Sequence, residues 1–181
     1  MNAHASMNLP VGLEALFKTS NVALSLADAN LPDMPLVMVN DKFCEITGYS
    51  REEALGRNCR FLQSENGAGP VRESMKAFLG DPKRTEERFI IANQTKAGEP
   101  FLNLVYMAKI SAGKDESFVL GSQFAVRGDA AEAQLYDKAL KTDLRQLNAL
   151  FRDTDWVLLG SMKALADSAA MIARYRLEGD A

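Results

Sequence analysis

The eight-residue run at 56–63, Gly-Arg-Asn-Cys-Arg-Phe-Leu-Gln, constrains this chain more than any other segment. A buried cysteine usually packs as a small hydrophobic side chain among apolar neighbours. Cys59 instead lies between Asn58 and Arg60, and Gln63 follows four residues later. Polar groups on both sides of a thiol are suited to hold a planar, hydrogen-bonding ligand against the sulfur. The run therefore predicts a ligand site around Cys59.

Length and charge limit the classes of protein that the chain can belong to. Its 181 residues, 25% charged and 47% hydrophobic, fit one globular domain with an appendage. The formal net charge of -3 provides no general basic field, so neither nucleic acid nor an anionic membrane is expected as a partner. No signal peptide pattern opens the chain, and no segment approaches the ~18 apolar residues of a spanning helix. We therefore expect a cytoplasmic protein.

Metal and disulfide chemistry are limited by the few residues that could carry them. The two cysteines are Cys44 and Cys59, and the only histidine is His4. These are too few ligands for a structural zinc site and too few thiols for a disulfide framework. Cys44, close to Phe43 and Ile46, is expected to be a packing residue.

The order of local patterns predicts a mixed helix and strand domain. Residues 10–18 favour a short amphipathic helix, and short helices are expected between residues 40 and 79. Asn40 or Asp41 is expected to cap one of them, Ser50 and Glu53 form a capping box, and Pro70 opens a longer helix. Strands are expected at residues 22–26, 36–39, 87–93, 101–110 and 117–126.

Residues after Gly128 have the periodicity of helices. Asp129 and Glu132 form an N-cap pair, and apolar residues then recur in steps of three and four. The first set comprises Ala133, Tyr136, Leu140, Leu144, Leu147 and Phe151, and the second comprises Leu158, Met162, Leu165, Ala169 and Ile172. The segment at 152–155 interrupts the two sets, so the pattern predicts a helical hairpin.

The run at 56–63 resembles the signature of the LOV family, the flavin-binding blue-light sensors within the PAS fold. The resemblance implies an α+β PAS/LOV fold, a five-stranded antiparallel sheet with short helices on one face, an N-terminal helix and a C-terminal helical hairpin. It also implies three regions. Residues 1–20 are a leader and cap helix, residues 21–128 the flavin-binding core, and residues 129–181 an extension for dimerisation and signalling.

For Cys59 the resemblance implies a photochemical role and FMN as the cofactor. Blue light excites the flavin, and the Cys59 sulfur adds reversibly to the C4a carbon of its ring. Such chemistry needs a close sulfur but no strongly depressed thiol pKa, because the excited cofactor drives the bond. A cysteine hydrolase would need a base beside the sulfur, and a haem-binding PAS domain a proximal histidine, and His4 lies in the leader.

A flavin ring presents carbonyl and N–H groups, so its site must supply matching amides. Asn93, Asn103 and Gln123 fall on predicted strands, where amides are uncommon. Any one of them alone could be a solvent-facing strand residue. By resemblance all three contact the flavin, as do Asn58 and Gln63, and Gln123 senses the protonation of ring atom N5.

The resemblance assigns Arg60 to the FMN phosphate. The usual second phosphate arginine is replaced by Met75, so the clamp looks incomplete unless Arg72 or Lys76 substitutes. The remaining residues expected at the flavin are pocket walls: Leu62, Ser25, Ala27, Val105 and Met107.

The expected function is blue-light reception without enzymatic activity, with output through Gln123, the last strand and the C-terminal helices. The alternative is a PAS-type flavin or small-ligand redox sensor without photochemistry. Residues 129–181 hold seven basic and nine acidic residues, which favours protein contact over DNA. A light-dependent homodimer through the apolar stripes of the C-terminal helices is expected, and the alternative is that they fold back on their own sheet. The downstream protein is unknown.

Overall fold

An antiparallel sheet forms the centre of the fold in the computed structural model, which describes residues 9–127, 130–160 and 168–179. The elements in chain order are α1 (Leu13–Thr19), β1 (Ala23–Asp28), β2 (Leu36–Val39), α2 (Asp41–Thr47), α3 (Arg51–Ala54), a 3-10 turn (Cys59–Leu62), α4 (Val71–Gly80), β3 (Glu86–Gln94), β4 (Pro100–Ala112), β5 (Glu116–Val126), α5 (Ala130–Phe151), β6 (Trp156–Leu158) and α6 (Ser168–Gly179). The α+β PAS/LOV prediction is confirmed, with a sixth strand added. The division at residues 20 and 128 stays a prediction.

The strands lie in the order β2, β1, β5, β4, β3. All of these pairs are antiparallel, and β4 is the longest strand of the sheet. The pairing of β3 with β4 ends at Glu86 and Ala108, and β6 pairs with β4 immediately beyond that point. The sheet therefore has β2 at one edge and β3 followed by β6 at the other.

Side chains alternate between the two faces of the sheet, as strand geometry requires. On one face, the even-numbered residues of β1, β3, β4 and β5 pack in a large apolar cluster with α1 and α5. On the other face, odd-numbered residues meet the segments that contain α2, α3, the 3-10 turn and α4. Helices thus cover both faces, and the two faces have different neighbours.

Local hydrogen bonds fix the helices where the sequence predicts them. The Asn40 side chain caps α2 by accepting from the Phe43 backbone N–H at 3.0 Å. It also accepts from the Leu24 backbone N–H at 2.9 Å, which ties α2 to β1. Ser50 and Glu53 form the predicted capping box of α3. Both caps satisfy backbone donors that a helix start leaves open.

The prediction of one helix that includes Leu158 is wrong. Trp156–Leu158 form β6, and Trp156 and Leu158 are buried while Val157 is exposed, which is the two-residue period of a strand. The physical reason is the free edge that β4 offers beyond the end of β3. Helix α6 begins only at Ser168. The predicted helical positions Met162 and Leu165, and the Asp129 cap, lie outside the described residues.

The apolar stripe of α5 is covered by the chain's own sheet. Its six predicted residues are all buried in the cluster that holds the even-numbered strand residues: Ala133, Tyr136, Leu140, Leu144, Leu147 and Phe151. The alternative that the helix folds back is therefore right for α5. Because this stripe is covered, it provides no apolar surface for a dimer.

Among the described residues no helix is long and apolar enough to cross a membrane. The same residues contain no group of three or more His, Cys, Asp or Glu side chains placed to hold a metal ion. Cys44 and Cys59 are both free thiols. The described part of the chain thus presents no metal or disulfide site.

Candidate functional site

A cavity lies between the odd-numbered face of the sheet and the segment that runs from the 3-10 turn to α4. It encloses about 750 Å³ free of protein atoms, including its opening to solvent. Its walls are mostly apolar, with a thiol, several amides and one guanidinium among them.

Most of the predicted site residues line this cavity. They are Ser25, Ala27, Asn58, Cys59, Arg60, Leu62, Gln63, Asn93, Asn103, Val105, Met107 and Gln123. Arg72 and Lys76 are exposed residues of α4 and are not among the lining residues. Met75 does line the cavity, one helical turn from Leu79. The face of α4 turned towards the cavity is thus apolar.

The structure adds lining residues that sequence reasoning missed. They are Leu36, Leu79, Ile91, Val119 and Gly121. Strand alternation could have found most of them, since Ile91, Val119 and Gly121 are two or four residues from the predicted amides. At Gly121 a Cβ atom would lie 2.6 Å from Ser25 Oγ and 3.1 Å from Gln123 Nε2, so a side chain there would displace both.

Cys59 is the first residue of the 3-10 turn, and its side chain is partly buried at the cavity wall. Asn58 caps the turn by accepting from the Arg60 backbone N–H at 3.0 Å. Burial raises the pKa of the Cys59 thiol to about 12, and a hydrogen bond with the Ser25 hydroxyl opposes that shift. Burial therefore favours the neutral thiol over the thiolate at physiological pH.

Three buried amides face the cavity from β3, β4 and β5. Asn103 Nδ2 donates to Asn93 Oδ1 at 2.9 Å, and Gln123 Nε2 donates to Ser25 Oγ at 3.1 Å. Asn103 Oδ1 and Gln123 Oε1 are buried and have no hydrogen-bond partner within the described part of the chain. A buried acceptor without a partner costs about 1–3 kcal/mol. These two oxygens are thus poised to accept from a ligand in the cavity.

The guanidinium of Arg60 lies at the mouth of the cavity. Its Nη1 atom lies 2.6 Å from Asp33 Oδ1, and both side chains are more than half exposed. The Asn58 Nδ2 atom donates to the Asp33 carbonyl oxygen at 2.6 Å. Asn58 therefore holds both members of the ion pair through its two polar atoms.

A second polar cluster lies on the opposite face of the sheet. Ser122, the neighbour of Gln123, is buried with its Oγ 3.0 Å from the Tyr136 hydroxyl of α5. The next residue, Asp137, forms a buried ion pair with Arg88 at 3.2 Å and accepts from the Ser168 backbone N–H at 2.8 Å. This cluster connects the strand that carries Gln123 with both C-terminal helices.

The cavity residues fit a flavin. An apolar slot suits a flat aromatic ring, and the amides suit the alternating carbonyl and N–H groups of its pyrimidine edge. One of these two acceptor oxygens without a partner would match the single ring N–H of an oxidised flavin. Only Arg60 among the described lining residues offers a positive charge to a phosphate.

Comparison with known proteins defines the class. A family model described as PAS domain matches residues 24–124, so the chain belongs to the PAS domain family. The crystal structure of the Rhodobacter sphaeroides LOV protein superposes with a TM-score of 0.72 and 30% identity, over 91% of this chain and 93% of that one. Within the PAS family, the chain is a LOV domain protein.

The names of two curated relatives refer to light. The blue-light-activated histidine kinase of Rhizobium johnstonii is 33% identical over 141 residues, 74% of this chain and 40% of the kinase. Phototropin-2 of Oryza sativa subsp. japonica is 37% identical over 100 residues, 54% of this chain and 11% of the phototropin. The chain thus spans less than half the length of either relative.

Proposed function

We propose that this chain is a blue-light photoreceptor that binds FMN and responds through Cys59. One observation supports the flavin above all: the acceptor oxygens of Asn103 and Gln123 are buried without a partner in the cavity that also holds the Cys59 thiol. Similarity to proteins named as blue-light-activated supports the light response. We propose no catalytic activity for the chain itself.

The chain's own residues bind and orient the ring. Asn93, Asn103 and Gln123 hydrogen-bond its polar edge, and Leu62 and Val105 contribute apolar walls that exclude water. Arg60 lines the cavity and would contact the FMN phosphate where that group projects towards solvent. Ser25 accepts a hydrogen bond from the Gln123 amide, and its hydroxyl opposes the rise in the pKa of the Cys59 thiol, so it lies beside the two groups that respond to light in this proposal.

When bound, FMN supplies the absorption of blue light and an excited state that makes its C4a carbon reactive. Cys59 would supply the sulfur for C4a and the proton for ring atom N5. Because the sulfur would regain that proton in the dark, no outside oxidant or reductant would be consumed. A neutral thiol would suit this addition because it carries both the sulfur and the proton that the ring takes up.

Gln123 carries the signal in this proposal. The Oε1 atom of Gln123 has no partner within the described part of the chain, so it would be available to accept from ring atom N5 if that atom gained a proton. Ser122 then transmits a change in β5 to Tyr136 on α5. The C-terminal helices would alter the state of a homodimer or the binding of a downstream protein.

The test replaces the thiol. A Cys59→Ala protein should bind flavin and fluoresce, because the amides and walls remain, but it should show no reversible bleaching under blue light. Cys44→Ala is the matched control, since Cys44 is the other free thiol and does not line the cavity. Bleaching with dark recovery in Cys59→Ala would exclude Cys59 as the reactive group. A parent protein that binds flavin but ignores light would favour the redox-sensor alternative.

A further inference from the structure

The one cation among the described residues that line the flavin cavity is already paired with a carboxylate. Among the described lining residues Arg60 is the only cation, and its Nη1 atom is 2.6 Å from Asp33 Oδ1. A carboxylate at this distance neutralises the guanidinium and occupies one edge of its donor fork. Any anionic group of a ligand must therefore compete with Asp33 for Arg60.

The backbone of Asp33 is fixed beside Arg60. Asp33 has a left-handed conformation with φ 67°, which is uncommon for residues other than glycine, although aspartate tolerates it. Its carbonyl oxygen accepts from Asn58 Nδ2 at 2.6 Å, while Asn58 Oδ1 accepts from the backbone N–H of Arg60 at 3.0 Å. Asn58 thus connects the backbone of Asp33 to the backbone of Arg60, and this connection places the two residues of the ion pair next to each other.

Helix α4 supplies no replacement charge. Met75 and Leu79 are the residues that α4 contributes to the lining, and the cations of the same helix, Arg72 and Lys76, are exposed outside it. A phosphate dianion at this mouth would meet one shared guanidinium and one nearby carboxylate. An uncharged ribityl hydroxyl meets no such repulsion, because it carries no charge for the Asp33 carboxylate to oppose.

We propose that this cavity binds riboflavin, a flavin without phosphate, about as tightly as FMN, and that Asp33 determines this tolerance. The inference rests on the proposed flavin function. It adds that the cavity accepts flavins with and without a phosphate. Asp33 is a specificity residue because it reduces the part of the binding free energy that depends on the phosphate. It does not contact the ring, so the affinity for riboflavin does not depend on its charge.

The experiment titrates the flavin-free full-length chain with riboflavin and with FMN and follows the quenching of flavin fluorescence. The parent should bind the two with dissociation constants within about tenfold of each other. Asp33→Asn frees Arg60 and should tighten FMN by about tenfold or more, since hydrogen bonds between charged groups are the stronger ones. Riboflavin binding should be unchanged. Asp115→Asn, an exposed turn residue far along the chain, is the matched control.

Met75→Arg is a second variant that keeps the Asp33 pair and adds a cation to the cavity wall, so it should also shift the preference towards FMN. A parent that prefers FMN by about a hundredfold overturns the inference. So does an unchanged ratio in both variants. If the parent binds neither flavin, the proposed function itself fails, which is a distinguishable result.

Discussion

The Ser25 hydroxyl lies beside two of the polar side chains that line the cavity. It accepts from Gln123 Nε2 at 3.1 Å, and it opposes the rise in the pKa of the Cys59 thiol. At the scale of single residues, this serine thus interacts with both the amide and the thiol. It also shows how a polar residue on a strand can serve two partners from segments far apart in sequence.

A prediction at this scale concerns pH. Since the pKa of Cys59 is raised to about 12, the thiol stays protonated throughout the physiological range. The amplitude of light-induced bleaching should therefore be constant from about pH 6 to about pH 10, whereas a thiol of ordinary pKa would titrate near ~8.5. Absorption spectroscopy across a pH series measures this amplitude. A sigmoidal change centred between pH 8 and 9 would show that a thiolate takes part.

Some residues of the site can be identified from the sequence, and others cannot. Asn93, Asn103 and Gln123 are noticeable from the sequence because amides are unusual on strands. The role of Ser25 is not, because a small polar residue on a strand has many ordinary explanations and its partner Gln123 lies 98 positions away. Asp33 is likewise invisible as a partner of Arg60 until the loop conformation brings them together.

At the scale of elements, β5 makes different contacts on its two faces. Gln123 points into the cavity, while Ser122 and Phe124 contact Tyr136 of α5, the serine by a hydrogen bond and the phenylalanine by ring stacking at 4.8 Å. A shift of β5 by even part of a residue would change both contacts. The strand is therefore the element through which the cavity and α5 are mechanically joined.

Tyr136→Phe tests this connection. The change removes the bond to Ser122 but keeps the ring on Phe124, so the free energy of unfolding should fall by only about 1 kcal/mol. Light-induced changes in the amide hydrogen exchange of α5 should become smaller, because one of its two contacts with β5 is lost. Urea denaturation and exchange in darkness and under blue light measure the two effects.

Tyr175→Phe is the control for the loss of a hydroxyl, since Tyr175 lies on α6 and is 40% exposed. An exchange response in α5 that is equal in Tyr136→Phe and the parent would contradict a role for the Ser122–Tyr136 contact. A larger loss of stability than expected, with the exchange response intact, would assign this contact to folding alone.

The elements themselves were predictable where the reason for them is local. The Asn40 cap and the Ser50 capping box depend on neighbouring residues, so the sequence indicates them directly. Strand β6 depends on a free edge of β4 that exists only after β3 has paired. Leu158 also fits the helical period that continues at Met162 and Leu165, and nothing in the sequence shows that a strand edge is available to it.

At the scale of the whole molecule, the covered stripe of α5 changes where a partner surface can be. The large apolar side chains that remain exposed on the C-terminal helices are Leu135 on α5 and Tyr175 and Leu177 on α6. A homodimer through these helices must therefore use their outer sides. This surface is smaller than two bare stripes, which favours a weak association that light can alter.

Leu135→Glu tests the dimer. Leu135 is 67% exposed, so the change should leave folding intact but weaken dark-state association by about tenfold. Val11→Glu, which is 95% exposed near α1, is the control outside the C-terminal helices. Sedimentation velocity in darkness and under blue light provides the measurement. A monomer in both states would refute the dimer, and deletion of residues 129–181 is a poor test because it would uncover the apolar back of the sheet.

Alternation along the central strands has a practical consequence for anyone who wishes to re-engineer this sensor. Odd positions such as Val105 and Val119 line the cavity, and even positions such as Tyr106 and Leu120 pack in the apolar cluster behind the sheet. Neighbouring positions share one strand, so the effects of variants drawn from the two sets are expected to be coupled. A library restricted to one parity would change the side chains of one face alone, and any effect on the other face would have to pass through the strand backbone.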